Sequence, residues 1–153
     1  MSDRILVMHG GRIRQLGAPE DIYARPRDVF VAEVVGAANF FDVTVRGEEM
    51  QLFVAFDAAG TTFLAAQATT GAGVARAMIR PDRLGIDHGM GGGPRPNVLR
   101  GWIRQRLFMG GHHEYMVETA AGLARVFPSR VFAEGGRVVL SFEAEDCIFL
   151  PGE

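Results

Sequence analysis

The chain has no lysine. All 16 of its basic residues are arginine, so it offers no side-chain amine. That excludes Schiff-base chemistry and the phosphate-gripping lysine of a Walker A loop. Cysteine is nearly absent as well. Cys147 is the single one, which rules out a disulfide within the chain and suits a reducing compartment. No stretch approaches the roughly 20 apolar residues of a membrane-spanning helix. The apolar run behind Met1-Ser2-Asp3-Arg4 is too short for a signal peptide, so a cytosolic location is expected. An excess of positive charge is missing too. The formal net charge of −2 gives no general attraction for nucleic acid or for an anionic membrane surface. What is present is an ordinary folded composition, 48% hydrophobic and 22% charged in 153 residues, enough for one domain or two small ones with a real core.

The periodicity changes along the chain. Residues 4–17 read as a hairpin, with Ile5-Leu6-Val7-Met8 as a buried-type strand, His9-Gly10-Gly11 as the turn and Arg12–Leu16 as the return. Pro19, Glu20 and Asp21 open a short helix that Pro26 stops. Pro26 is expected to open a second helix carrying Phe30, Val31, Val34 and Val35 on one face, with Gly36 as its C-terminal cap. After Gly36 the period falls to 2. Strands are expected around 41–45, 50–56, 61–64, 75–79, 98–108, 113–119, 123–127, 137–142 and 147–150, joined by glycine-rich turns. The chain therefore divides into an α/β piece, 1–36, and an all-β domain, 37–153. One hairpin and two short helices cannot cover Ile5 to Met8 on both sides. The front piece is expected to be the last part of a larger domain.

Ser2 to Ile13 resembles the stretch after the switch-histidine loop of ABC ATPases. The importer type continues with a Gly-x-Pro-x-x-Ile-Tyr helix, matched by Gly17-Ala18-Pro19-Glu20-Asp21-Ile22-Tyr23. An Arg-Pro pair and a Phe-Val-Ala helix follow, matched by Arg25-Pro26 and Phe30-Val31-Ala32, and the run closes on Gly36-Ala37-Ala38-Asn39. Further on, Ile79-Arg80-Pro81-Asp82, Gly101 to Tyr115 with Phe108 and Gly110, and Gly136 to Phe142 resemble the TOBE regulatory region of the same subunits. The polyamine, ferric-ion and small-solute importers are the most similar group. The resemblance implies a mainly β fold: an OB-like small-barrel domain (TOBE/MOP-like) built as a pair of units, preceded by a hairpin and two short helices left from the ATPase domain. It implies a regulatory and dimerisation role, a homodimer, permease partners, and a place at the inner face of the membrane. ATP and magnesium belong to the parent subunit and no cofactor to this chain, because nothing here matches Walker A, Walker B, the signature or the switch histidine. Ala18 departs from the family's Thr or Ser, removing a helix cap worth about 1 kcal/mol.

Candidate sites are few. Arg100, Trp102, Arg104, Arg106 and Phe108 alternate along one strand. That mix suits single-stranded nucleic acid on an OB-like barrel; it also suits a solvated face with half-buried arginine stems, which the net charge favours. Ile5, Val7, Phe30 and Val34 mark an apolar segment expected to pack against a second copy. His112-His113-Glu114 reads as surface residues, since strand neighbours point to opposite faces, and no metal site is expected. Gly89 to Pro96 reads as a connection rather than a phosphate loop. An oxyanion pocket at Gly36-Ala37-Ala38-Asn39 stays a further alternative, though it lacks hydroxyl side chains.

Overall fold

A computed structural model describes residues 3–50, 53–66, 73–89 and 97–150. The hairpin is β1 (Ile5–His9) and β2 (Arg12–Gly17), followed by α1 (Pro19–Ala24) and α2 (Val29–Val35). Val7, Ile22 and Val31 form a small core between hairpin and helices, with Ile5, Phe30 and Val35 packed against it. Ala18 makes no side-chain cap at α1. One expectation fails here. Pro26 does not open α2; Asp28 does, its carboxylate accepting from the Val31 amide at 2.9 Å, the stronger start signal of the two. Gly36 takes the C-cap of α2 as expected, but without a left-handed turn, for its φ of 167° is extended backbone. Its small size matters instead, because a Cβ there would sit 3.0 Å from the Tyr23 ring.

The rest is mainly β, two five-stranded curled sheets of OB-like character. The first repeat contributes β3 (Asn39–Met50), β4 (Phe53–Ala58), β5 (Thr61–Ala65) and β6 (Gly73–Ile79). A 3-10 turn at Pro81–Arg83 leads to β7 (Gly85–His88), a strand the sequence did not announce. Next come β8 (Asn97–Phe108), β9 (His113–Thr119), β10 (Gly122–Val126) and β11 (Arg137–Phe142), then a 3-10 turn at Ala144–Asp146 and β12 (Cys147–Leu150). Of the connection from Gly89 to Pro96, residues 90–96 lie outside the described residues.

The two sheets have one topology. One runs β12-β6-β3-β4-β5 and the other β7-β11-β8-β9-β10. Matching β3–β6 with β8–β11 pairs every neighbour. The fifth strand of each sheet follows the fourth strand of the other: β7 lies on β11, and β12 lies on β6. Both long strands bulge after matching residues, Val45 and Ile103. Matching asparagines tie the sheets together. Asn39 clamps the Arg125 backbone at 2.7 and 2.8 Å, and Asn97 clamps that of Leu64 at 2.8 Å twice. A single core from Phe41 to Cys147 runs through both sheets. Cys147 is buried in it, and burial pushes its thiol pKa upward.

Candidate functional site

The joint between helices and sheets is built on Arg80. Pro81 ends β6, since it lacks the amide a ladder needs, and leaves Arg80 facing the helices. Its side chain is almost wholly buried, the residue being 3% exposed. Nε and Nη2 donate to the Tyr23 carbonyl, at 3.2 and 2.8 Å. Nη1 donates to the carbonyls of Ala32, Gly36 and Ala37, at 3.0, 3.3 and 3.0 Å. These oxygens lie at the C-terminal ends of α1 and α2, where unpaired carbonyls and the helix dipole favour a cation. The guanidinium also stacks over the Tyr23 ring at 4.2 Å. Burial lowers its pKa, with opposing pulls from Tyr23 and Asp82, yet an arginine stays charged. The Tyr23 hydroxyl donates to Asp82 at 3.3 Å; burial, then Asp82, raise the phenol's pKa. A second, apolar contact reinforces the joint: Ala32 and Val29 of α2 pack on Met78, Leu150, Phe40 and Ile148.

The strand stripe does not hold together as one face. Ile103 pairs with Val117, but the bulge then sets Gln105 opposite Met116 and Arg106 opposite Tyr115. One extra residue reverses the parity. Arg100 and Trp102 remain on the outer face, and Arg104 reaches back to Glu118 at 3.2 Å. Arg106 and Phe108 share the side of Val117, Tyr115 and His113. The outer group gains a member that sequence reasoning passed over, Arg137, directly across from Trp102.

The apolar segment is split as well. Val7 is buried, Ile5 and Phe30 are half-buried, and Val34 is exposed. Leu6, Met8, Ile13 and Leu16 are exposed on the hairpin's outer side, where Leu6 pairs with Leu16 and Met8 with Ile13. His112 and Arg125 approach Glu114 at 3.9 and 3.8 Å, whereas His113 sits between the Phe108 and Tyr115 rings. No trio of His, Cys, Asp or Glu converges among the described residues. Both amide atoms of Asn39 serve the Arg125 backbone. No helix among the described residues is long and apolar enough to cross a membrane. Arg80 had been legible only as part of a motif, because alternation placed it beside Arg76 on one face without telling which of the two is buried.

With this geometry in view, known proteins are similar in three ways. The TOBE domain family matches residues 77–150. The spermidine/putrescine import ATP-binding protein PotA of Frankia alni is 37% identical over 80% of this chain and 28% of its own length. PotA of Ruegeria pomeroyi is 32% identical over 95% of the chain and 40% of its own length. The sulfate/thiosulfate import ATP-binding protein CysA of Burkholderia mallei is 44% identical over 55% of the chain and 22% of its own length. Among solved structures, the cytoplasmic molybdate-binding protein ModG superposes with a TM-score of 0.59 at 16% identity, covering 72% of this chain and 94% of that one. That likeness concerns the fold alone. The chain spans well under half the length of these ATP-binding relatives, and it belongs with the C-terminal part of ABC importer ATP-binding subunits and carries their TOBE domain.

Proposed function

We propose that the chain is the regulatory and dimerisation region of an ABC importer ATP-binding subunit whose whole length couples ATP hydrolysis to solute uptake. The chain itself is not catalytic. ATP and magnesium are held by parts of the subunit with no counterpart here, and permease subunits at the inner face of the membrane receive the motion. The observation that carries this reading is the Arg80 joint. One buried guanidinium ties the last helices of the ATPase part to the first repeat of the β domain, so a shift on either side is felt on the other. Leu6, Met8, Ile13 and Leu16 then form the face on which the preceding ATPase core packs. Relatives named for polyamines and for sulfate both match this chain, so the match does not name a solute. The nucleic-acid alternative loses its continuous cationic strand to the bulge. The oxyanion alternative loses Asn39 to the Arg125 backbone.

The test is a hybrid in which residues 1–153 replace the matching part of the Frankia alni protein. It should support ATP-dependent polyamine uptake, and Arg80→Met should lower uptake per ATP hydrolysed while leaving nucleotide binding intact. A hybrid lacking 37–153 that transports with unchanged coupling would sink the regulatory reading. The isolated chain should release no phosphate from ATP and should run as a dimer in light scattering. A monomer at tens of micromolar would refute dimerisation.

A further inference from the structure

The second repeat carries a surface feature that the first does not. The ladders match residue for residue: Asp42 lies opposite Arg76 and Thr44 opposite Val74 in the first, Arg100 opposite Val139 and Trp102 opposite Arg137 in the second. In the first repeat the outer face satisfies itself, Arg76 approaching Asp42 at 3.5 Å. In the second that pair is gone, and two guanidiniums and an indole stand in the matching places. Another matched pair serves as a control. Arg46–Asp57 at 2.8 Å in the first repeat recurs as Arg104–Glu118 at 3.2 Å in the second. The fold position therefore does not itself call for unpaired cations. Neither Arg100 nor Arg137 has an ion-pair partner among the described residues, and the chain's one tryptophan is 45% exposed beside them.

Arg137 is the direct cross-strand neighbour of Trp102, and Arg100 lies two residues away on the same strand. The three side chains thus start within about 5–8 Å of one another. With Gly89, Gly101, Gly135 and Val138 they line an open groove of about 530 Å³.

We propose that this face docks an acidic segment of a protein partner, with carboxylates on Arg100 and Arg137 and an apolar side chain against Trp102. Tryptophan and arginine are the residue types that dominate interface energetics, and unpaired guanidiniums select for carboxylates. An open groove on a sheet suits an extended segment better than an enclosed small molecule. A second copy joined through the same face would set like charges together. A nucleic acid strand needs a cationic track, whereas Arg104 is held by Glu118 and Arg106 is turned to the other side. The inference concerns this chain alone and stands apart from the coupling reading above.

The experiment follows Trp102 emission in the full chain while titrating a short synthetic peptide of alternating Glu, Asp and Phe. A peptide with Gln and Asn in place of the acids, and a single-stranded oligonucleotide of equal length, serve as comparisons. The acidic peptide should bind saturably, about tenfold more weakly in Arg137→Glu or Arg100→Glu, and less tightly as salt rises. Arg12→Glu, on the distant hairpin, should leave the affinity unchanged. Both groove substitutions are at exposed positions, and circular dichroism checks their fold; the neutral peptide and the salt series decide the matter even without them. Absence of a saturable response, equal affinity for the neutral peptide, or tighter binding of the oligonucleotide would each overturn the proposal.

Discussion

The two β repeats share strand order, bulge and asparagine clamp, yet each meets a different environment at matching positions. Arg80 and Glu143 both precede a 3-10 turn. Arg80 reaches away from its own repeat to the carbonyls of two helices. Glu143 is exposed and forms a local capping box with Asp146, whose carboxylate accepts from the Glu143 amide at 3.2 Å. The first repeat pairs Asp42 with Arg76 on its outer face, while the second leaves Arg100, Trp102 and Arg137 open. What is common to both halves holds the fold together. What differs marks where each half has something to meet.

The largest test of that comparison is Gly101→Val, which gives the second repeat the residue the first has at Val43. A Cβ at 101 would collide with the Glu118 carbonyl oxygen and the Val117 side chain. The reason is local: pairing with β9 extends to Gly101 and Thr119, whereas β3 meets β4 only from Thr44 onward. We expect a loss of about 3 kcal/mol, read by urea unfolding, and near-native stability would show that the two long strands are interchangeable here. Next come Asn39→Ala and Asn97→Ala. Each removes two hydrogen bonds and strands a buried backbone amide and carbonyl, at a cost of about 2–3 kcal/mol. Equal costs support the equivalence of the clamps, and a large effect at only one would break it.

Arg80→Met and Glu143→Ala separate long-range from local roles. Losing the capping box should cost about 1 kcal/mol with no change in the helices. Losing Arg80 should cost about 2 kcal/mol and open the loop at Arg27 to trypsin. Protection of that loop in Arg80→Met would show that the apolar contact of α2 suffices. The smallest effect is expected from Arg104→Ala, which removes the second repeat's counterpart of the exposed Arg46–Asp57 pair. Exposed pairs contribute about 0.5 kcal/mol at most, so the melting temperature should barely move.

Much of this architecture was legible because it is local. The hairpin turn at Gly10 and Gly11, both at positive φ, and the alternations of β3, β9 and β11 are written in neighbouring residues. β7 escaped because Gly85-Ile86-Asp87-His88 offers one buried residue and a glycine, too little to show a period. The start of α2 was misplaced because the proline signal at 26 competes with the carboxylate of Asp28. That there are two OB-like units came with the family resemblance, but their equivalences lie in pairing: Asn39-Phe40-Phe41 and Asn97-Val98-Leu99 do not look alike until their partners are known. The single-face stripe failed for a related reason, since a bulge at Arg104 leaves no mark in an alternating pattern. Arg80 was in view as a residue, but burial of one arginine among 16 depends on what the rest of the chain places around it.

The exchange of fifth strands between the sheets also bears on how the protein is made. The sheet begun at Asn39 is completed by Cys147–Leu150, so the edge of β6, which ends at Ile79, stays open while roughly 70 further residues are synthesised at roughly 5–20 residues per second. During those seconds β6 presents unpaired amides and carbonyls, along with the Met78 side that Leu150 later covers. A chain that stops short of residue 147 therefore leaves the earlier of the two five-stranded sheets unfinished, not merely the later.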